Sequence, residues 1–276
     1  MDSLANPGWH VIIAAVVVLT AARLILGRLK DPVAKQVAEV AESLAIAISL
    51  VFPIIRPFVV QAYFIPSGSM RPTLLERDRI LVNKFVFRLR EPKQGDIIVF
   101  KSPVSAQRDE KDFIKRVIGL PGDQIKLKPG WVTVGRDTYD HMALRAKLIN
   151  FATHAIPRDV EVKLTRDAVY VDGQEVGKPD IAIAARQPGA RVTIHPGSVY
   201  VNGKLLKEAY VAEDPDESYP PTERQTDKVP AGSLFVMGDN RNWSSDSRYW
   251  GLLDRQRVEG EAMFIFWPFN RIRWVR

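Results

Sequence analysis

An apolar run near the N-terminus limits most strongly what this chain can fold into. The run Trp9–Leu26 reads WHVIIAAVVVLTAARLIL and holds a single formally charged residue, Arg23. Its length approaches the ~20 residues that span a bilayer. A cleaved signal peptide needs positive charge before its apolar run, but residues 1–8 carry only the charge of Asp2. Lysine and arginine follow the run instead, so the positive-inside rule predicts an N-terminus outside and a following segment in the cytoplasm.

A second apolar run, SLAIAISLVFPIIRPFVV from Ser43 to Val60, is interrupted by two prolines and an arginine. It is either a helix that crosses back or a buried helix at the edge of a soluble domain. We predict the crossing, because a chain that has entered the cytoplasm must cross again if the remainder is to lie outside. Residues 1–62 then form a membrane anchor, with a helix at about 9–27, a cytoplasmic loop at about 28–42 and a helix at about 43–60.

The remainder of the chain, residues 63–276, reads as short strands separated by turns. RILVNKFVF, GDIIVF and AMFIFWPFNRIRWV are rich in β-branched and aromatic residues. AVYVDGQEV and SVYVNGKLL each follow a strand pattern with Asp-Gly or Asn-Gly, which suits a tight hairpin. Few windows have a sustained helical period, and Tyr139–Phe151 is an exception. We predict a mainly antiparallel β domain that carries an insertion at about 128–196.

Composition narrows the classes of function. The formal net charge of +7 suits nucleic acid or an anionic membrane surface. However, there is no zinc-finger spacing, Gly-rich phosphate loop or long Lys/Arg run, so we expect no nucleic-acid partner. The chain has no cysteine, which excludes a cysteine nucleophile, and its four histidines are scattered. We therefore expect no metal and no cofactor. The scatter also argues against a Ser-His-Asp triad, although sequence distance alone leaves one open.

Two serines in the stretch YFIPSGSMRPTLL, Ser67 and Ser69, lie in a segment that also reads as an ordinary turn. A serine nucleophile without histidine needs another base, for which lysine is the known substitute. That lysine must be buried among apolar groups, so that its pKa falls from ~10.4 to ~7–8. Lys115 in DFIKRVIGLPGD has such neighbours in Phe113, Ile114 and Val117. The alternative is that Lys115 is a solvent-facing strand residue.

The chain contains four blocks in the order seen in bacterial type I signal peptidases: YFIPSGSMRPTL, GDIIVF, FIKRVIGLPGD and GDNRNWSSDSRYWG. It resembles this family over about 58–127 and from 200 to the C-terminus. The resemblance implies a β-rich extracytoplasmic catalytic domain of signal-peptidase type, preceded by transmembrane helices. Its implied activity is to remove signal peptides from exported preproteins with a Ser/Lys dyad. It further implies a multi-pass protein of the inner (plasma) membrane, with the lipid bilayer and the secretion translocon as partners. Trp243 departs from the family pattern, which has a smaller polar residue there, and the insertion at 128–196 has no clear counterpart.

Carried over position by position, the resemblance assigns roles to individual residues. Ser69 corresponds to the nucleophile and Lys115 to the general base, while the Ser69 N–H and the Ser67 hydroxyl would hold the oxyanion. Ser244 corresponds to the serine that hydrogen-bonds and orients the lysine. Four charged residues would support the site, namely Arg116, Asp239, Asp246 and Arg248. Three apolar residues would line shallow pockets that accept small side chains, as in an Ala-x-Ala cleavage site, and these are Met70, Leu74 and Ile114.

Two other classes of protein fit parts of this pattern. Self-cleaving repressors also use a Ser/Lys pair, but they are soluble and usually carry an N-terminal DNA-binding domain. A membrane-tethered β-rich scaffold or binding protein without catalysis would make Ser69 and Lys115 incidental. The apolar N-terminus argues against the first alternative, and loss of activity on mutation of either dyad residue would exclude the second.

Overall fold

The computed structural model describes residues 9–29, 31–51, 59–103, 111–152, 162–220 and 228–275. They fall into two compact units. The first unit comprises the described parts of residues 1–64, 79–91 and 260–273, and the second comprises those of 65–78, 92–259 and 274–276.

Strands outnumber helices in the described part of the chain. The helices are α1 Trp9–Leu26, α2 Pro32–Leu50, α3 Val86–Leu89, α4 His141–Ala152, α5 Lys178–Ala184 and α6 Ser247–Trp250. The strands are β1 Val60–Phe64, β2 Arg79–Asn83, β3 Ile97–Lys101, β4 Asp112–Gly119, β5 Ile125–Lys128, β6 Trp131–Val134, β7 Asp137–Asp140, β8 Val162–Leu164, β9 Val169–Val171, β10 Gln174–Val176, β11 Val192–His195, β12 Ser198–Val201, β13 Lys204–Leu205, β14 Ser233–Met237, β15 Leu253–Asp254, β16 Val258–Trp267 and β17 Arg273–Trp274. Short 3₁₀ helices cover Gly68–Met70, Arg241–Trp243, Arg255–Arg257 and Phe269–Arg271.

Helix α2 begins well before the predicted second helix. Asp31 is its N-cap, and the carboxylate accepts hydrogen bonds from the backbone N–H groups of Val33 and Ala34 at 3.4 and 3.1 Å. Pro32 occupies the first helical position, where its missing N–H costs nothing. Most of the predicted loop at 28–42 is therefore helical, because Asp-Pro is a start signal for a helix.

Among the residues that the structure describes, no helix is both long and apolar enough to cross a membrane. The two predicted transmembrane helices are therefore not confirmed. Helix α1 has 18 residues, which rise about 27 Å at 1.5 Å per residue, whereas the hydrocarbon core is about 30 Å thick. Helix α2 carries Lys35, Glu39 and Glu42, and residues 52–58 of the predicted second span lie outside the described residues.

The first unit contains an antiparallel sheet in the order β1-β2-β16. Strand β2, RILVN, alternates as a half-buried strand should. Ile80 and Val82 are fully buried, while the residues between them are partly exposed. Strand β1 pairs with β2 from Val60 opposite Asn83 to Phe64 opposite Arg79, so β1 ends where the segment that carries Ser69 begins.

The second unit contains an antiparallel sheet in the order β3-β4-β14-β15. Strand β4 lies between β3 and β14, and Lys115 pairs with Ile98 in this register. The neighbours of β4 supply an apolar layer, since Ile98, Phe100 and Val236 are almost inaccessible to solvent. The prediction of a mainly antiparallel β protein is confirmed, and the lysine occupies a central buried strand.

The region predicted as an insertion forms a hydrophobic core of its own. Sheets β10-β9-β8 and β11-β6-β7 enclose the core together with α4 and α5, and Val132, Leu144, Val169 and Ile181 are each at most 2% exposed. Helix α4, His141–Ala152, confirms the helix predicted from the period of residues 139–151. The insertion is therefore a folded part of the second unit rather than an extended loop.

Both predicted hairpins are present. Asp172-Gly173 joins β9 to β10, and Asn202-Gly203 joins β12 to β13. All four residues have positive φ, between 49° and 79°, as a two-residue turn of type I′ requires. The sequence pattern therefore predicted the turn as well as the strands.

Candidate active site

A cleft of about 730 Å³ in the second unit brings together segments that are distant in sequence. Its wall includes the turn after β1, the start of β4, the 240–245 segment and one residue of the insertion. Its lining residues are Pro66, Ser67, Gly68, Ser69, Arg71, Glu76, Lys111, Asp112, Phe113, Ile114, Lys115, Lys163, Ala212, Asn240, Trp243 and Ser245.

Ser69 lies on a short turn that is anchored from below. It is the middle residue of the 3₁₀ helix Gly68–Met70, in which the Arg71 N–H donates to the Gly68 carbonyl at 3.1 Å. Met70 and Leu74 are fully buried, and the Leu74 N–H donates to the Met70 carbonyl at 2.9 Å. The buried apolar side chains thus hold the turn while Ser69 faces the cleft.

Lys115 meets Ser69 in the cleft. Its Nζ lies 2.9 Å from Ser69 Oγ and 3.0 Å from the Ile114 carbonyl oxygen, and the residue is only 5% exposed. Burial lowers the pKa of Lys115 from 10.5 to about 8, while the negative charges of Asp246 and Asp239 act in the opposite direction. A drop of this size is expected when an ammonium group loses its water shell, and it gives a base that titrates near neutral pH.

A buried ion pair lies next to the lysine. The Arg116 guanidinium donates to both carboxylate oxygens of Asp239, at 2.8 and 2.6 Å, and both side chains are at most 2% exposed. Thr73 Oγ1 donates to the same carboxylate at 2.5 Å. Bidentate contact of this kind fixes the orientation of both groups.

The segment that follows β14 is tied directly to the turn of Ser69. The Asn240 N–H donates to the Ser69 carbonyl oxygen at 3.1 Å, and the Asn240 side-chain amide donates to the Gly68 carbonyl at 3.1 Å. Asp246 accepts from the Gly238 N–H at 3.0 Å and from Arg248 at 2.9 and 3.0 Å. The carboxylates near Lys115 are thereby each paired with a buried arginine.

Ser244 departs from its predicted contact. It is buried, but its Oγ has no hydrogen-bond partner within the described part of the chain, and the two hydrogen bonds of Lys115 go to Ser69 and Ile114 instead. The hydroxyl packs against Gly238, where an added Cβ would clash with both Ser244 Oγ and the Ser69 carbonyl oxygen.

The remaining predicted residues divide into two sets. Ser67 and Ile114 line the cleft, and Ser67 makes no capping hydrogen bond to the 3₁₀ helix that follows it. Met70 and Leu74 are fully buried and are not among the lining residues. The structure thus brings Ser69, Lys115, Ser67 and Ile114 to one cleft and leaves the other two in the core.

Three further residues that sequence reasoning missed support the site. Arg241 is fully buried and donates to both carboxylate oxygens of Glu208, at 2.8 and 2.5 Å, and to the Gly238 carbonyl at 3.0 Å. The ring of Tyr210 lies 3.8 Å from the Arg116 guanidinium carbon, and its hydroxyl donates to Glu208. Arg241 lies within the block GDNRNWSSDSRYWG, which was a signal, whereas Glu208 and Tyr210 lie in no recognised pattern.

Several polar and charged side chains line the cleft, and among them the Ser69 hydroxyl and the Lys115 amine lie within hydrogen-bond distance of each other. Over the ranges that the structure describes, no group of three His, Asp or Glu residues is arranged to hold a metal ion. The chemistry that these side chains offer is that of a serine hydroxyl next to an amine of lowered pKa.

Comparison with known proteins gives a consistent result. Residues 37–155 and 183–267 match the family model described as signal peptidase, peptidase S26. The probable signal peptidase I-2 of a Synechocystis species is 32% identical over 79% of this chain and 68% of its own length. The signal peptidase I of Leptolyngbya laminosa is 33% identical over 79% of this chain and 74% of its own. That of Aquifex aeolicus is 33% identical over 83% of both chains.

Proposed function

The chain belongs to the signal peptidase family, peptidase S26, and from this premise we propose that Ser69 and Lys115 form the Ser/Lys dyad with which it cleaves signal peptides from exported preproteins. One observation carries the assignment of residues: a lysine that is only 5% exposed lies 2.9 Å from a cleft serine. Its relatives are signal peptidases, and a scaffold without catalysis would not explain this similarity.

The reaction begins at the Ser69 hydroxyl. Neutral Lys115 accepts the hydroxyl proton as Ser69 Oγ attacks the scissile carbonyl, which forms a tetrahedral intermediate. The protonated lysine then donates this proton to the leaving amine, and an acyl-enzyme remains. Lys115 next accepts a proton from a water molecule that attacks the ester, and it returns this proton to Ser69 Oγ as the signal peptide is released. A pKa of about 8 suits both directions of proton transfer near neutral pH.

The oxyanion of the intermediate requires donors on one side of the cleft. We assign the Ser69 N–H and the Ser67 hydroxyl to this role, which the extended backbone at Ser67 and its uncapped side chain support. Loss of one such donor typically costs about 2.7–4 kcal/mol of transition-state stabilisation. The Ser69 carbonyl is held by the Asn240 N–H, so the turn does not have to reorganise as charge develops.

Arg116, Asp239, Asp246 and Arg248 support the dyad in this proposal through their buried pairs. Ser244 remains a candidate for orienting the lysine, since its hydroxyl has no partner among the described residues and is available to a protonated Lys115. Ile114 lines the cleft beside the dyad, while Met70 and Leu74 form part of the core below the turn. A shallow apolar wall of this kind favours small side chains, as in an Ala-x-Ala sequence.

The helices α1 and α2 are the part of the chain that we assign to the lipid bilayer. They are joined by an Arg23–Glu42 ion pair of 2.9 Å and leave large apolar side chains exposed, among them Val17, Val18 and Ile25 at 60–65%. An apolar surface of this kind marks an interaction site. We place the catalytic unit on the extracytoplasmic side of the inner (plasma) membrane, where preproteins leave the secretion translocon.

The membrane assignment is testable by flotation with phospholipid vesicles. The double variant Val18→Glu, Ile25→Glu should float less than the wild type, while Met142→Glu, at an equally exposed apolar residue of the insertion, should float like the wild type. Equal flotation of all three proteins would contradict the assignment.

The dyad is tested with purified protein in detergent and a preprotein substrate. Ser69→Ala and Lys115→Met should each abolish cleavage while circular dichroism and thermal unfolding show a folded protein. Lys111→Met is the matched control, because Lys111 also lines the cleft but has no assigned role. Wild-type activity in either dyad variant would refute the assignment.

A further inference from the structure

Trp243 is the most exposed large aromatic residue in the wall of the cleft. It is 65% exposed, whereas Arg241, two residues before it, and Ser244, which follows it, are at most 6% exposed. Tryptophan is on average a highly buried residue. An exposed indole that lines the cleft of Ser69 and Lys115 is therefore a candidate contact for a substrate chain that enters the cleft.

The backbone that presents the indole is fixed from several directions. Trp243 ends the 3₁₀ helix Arg241–Trp243, and its N–H donates to the Asn240 carbonyl at 3.2 Å. Arg241 is anchored by its bidentate contact with Glu208. Asn242 donates to the Asp214 carbonyl at 3.0 Å and accepts from the Asp216 N–H at 3.1 Å. A rigid aromatic side chain on an ordered turn loses little entropy when it binds a partner.

The distance between Trp243 and the reacting bond follows from this turn. The Asn240 N–H bonds to the Ser69 carbonyl, and Trp243 follows three residues later at about 2 Å per residue. The backbone of Trp243 is therefore within about 10 Å of the Ser69 carbonyl, and an extended peptide covers about 3.3 Å per residue. A substrate chain across the dyad meets the indole within about three residues of its scissile bond.

We propose that Trp243 is a specificity-determining residue that binds an apolar or aromatic side chain of the preprotein within about three positions of the cleavage site. This inference rests on the proposed function. Tryptophan is enriched at binding hot spots, where its large amphipathic ring supplies contact area. Charged residues also line this cleft, but the indole, Phe113 and Ile114 offer apolar contact area, so we assign an apolar substrate side chain to the indole.

The test uses the full-length enzyme in detergent and soluble peptides that keep the small residues required for cleavage. Each peptide carries Phe or Ser at one position within four residues of the scissile bond. For the position that contacts the indole, Trp243→Ala should raise KM about tenfold with Phe and less than twofold with Ser, with kcat within twofold. Trp243→Phe should retain most of the preference. Trp274→Ala is the control, because Trp274 is 64% exposed and is not among the cleft-lining residues.

Binding is measured separately in a Ser69→Ala background, where no turnover occurs. Calorimetry with the Phe peptide should show that Trp243→Ala weakens Kd by the same factor of about ten. Unchanged KM and Kd for every peptide would overturn the proposal, as would a loss confined to preproteins in vesicles, which would assign the indole to lipid. Retained activity in Ser69→Ala alone would instead refute the dyad, so the two failures are distinguishable.

Discussion

Replacing Lys115 with methionine should remove activity and also change how stability depends on pH. Burial lowers the pKa of Lys115 from 10.5 to about 8, so the unfolded chain holds this proton more tightly than the folded protein does. Below pH 8 the lysine is charged in both states, and its burial cost is fully present. Between pH 8 and 10.5 the folded protein becomes more stable, because the unfolded chain still binds the proton.

The expected size follows from the two pKa values. A fall from 10.5 to about 8 corresponds to about 3 kcal/mol of free energy of unfolding, gained as the pH rises from 7 to 10.5. The Lys115→Met variant lacks this group and should lack this gain. Other groups titrate equally in both proteins, so the difference between wild type and variant isolates the lysine.

The assay is urea or thermal unfolding of both proteins in the same detergent at half-unit steps from pH 6 to 11. Relative to the variant, the wild type should gain stability above pH 8 and level off above 10.5. Since the variant also loses the 2.9 Å contact with Ser69, only the pH-dependent part of the difference is diagnostic. A difference that is constant from pH 7 to 10.5 would refute a lowered pKa for Lys115 and with it the proposed base.

Two further predictions concern the segment from 238 to 248. Gly238→Ala should lower the free energy of unfolding by about 1–3 kcal/mol and reduce cleavage, because the new methyl group clashes with Ser244 and the Ser69 carbonyl. Gly177→Ala is the control, since the nearest neighbour of a methyl group there is a flexible carboxylate. Equal Tm and activity in both variants would contradict the reasoning. Arg248→Gln should move the midpoint of the pH–activity curve upward by about 1 pH unit, because Asp246 loses its partner and its negative charge then favours protonated Lys115. Arg248→Lys should move the midpoint less. A midpoint that falls or stays unchanged would contradict the effect of Asp246 on the pKa of Lys115.

How much of the site could be predicted from sequence depended on the range of the contacts involved. Ser69 and Lys115 were recognisable because each lies in a local pattern, a Ser-Gly-Ser turn and a charged residue within an apolar strand. The Asp-Gly and Asn-Gly hairpins were predictable for the same reason. Helix α2 begins at Pro32 rather than at about 43, because the local start signal Asp31-Pro32 precedes the apolar run from which the helix was predicted.

Other features arise only when distant segments meet. Glu208 and Arg241 are 33 positions apart, and a glutamate has no local pattern that marks it as the partner of a buried arginine. Lys163 belongs to the insertion yet lines the cleft, which depends on tertiary packing rather than on periodicity. The resemblance placed Met70 in a substrate pocket, but its 0% exposure reflects how the turn is anchored, which no residue pattern specifies.

In the proposed mechanism the buried arginines favour the role of Lys115 as a base. A negative charge within about 4–6 Å raises the pKa of an amine by about 1–3, and both Asp239 and Asp246 act on Lys115 in that direction. Two unpaired carboxylates would therefore raise the Lys115 pKa further above neutral pH and reduce the fraction of neutral amine that can accept a proton. Arg116 and Arg248 neutralise them at 2.6–3.0 Å, so the desolvation of the lysine prevails.

The carboxylates are nevertheless required to position the Ser69 turn. Asp246 accepts a hydrogen bond from the Gly238 N–H. Asp239 anchors the strand end next to Asn240, whose N–H donates to the Ser69 carbonyl. If arginine were absent, the carboxylates that position Ser69 would raise the pKa of the proposed base, Lys115. In the proposed mechanism the arginine–carboxylate pairs thus let the carboxylates fix the geometry of Ser69, while the pKa of Lys115 stays low enough for it to exchange protons.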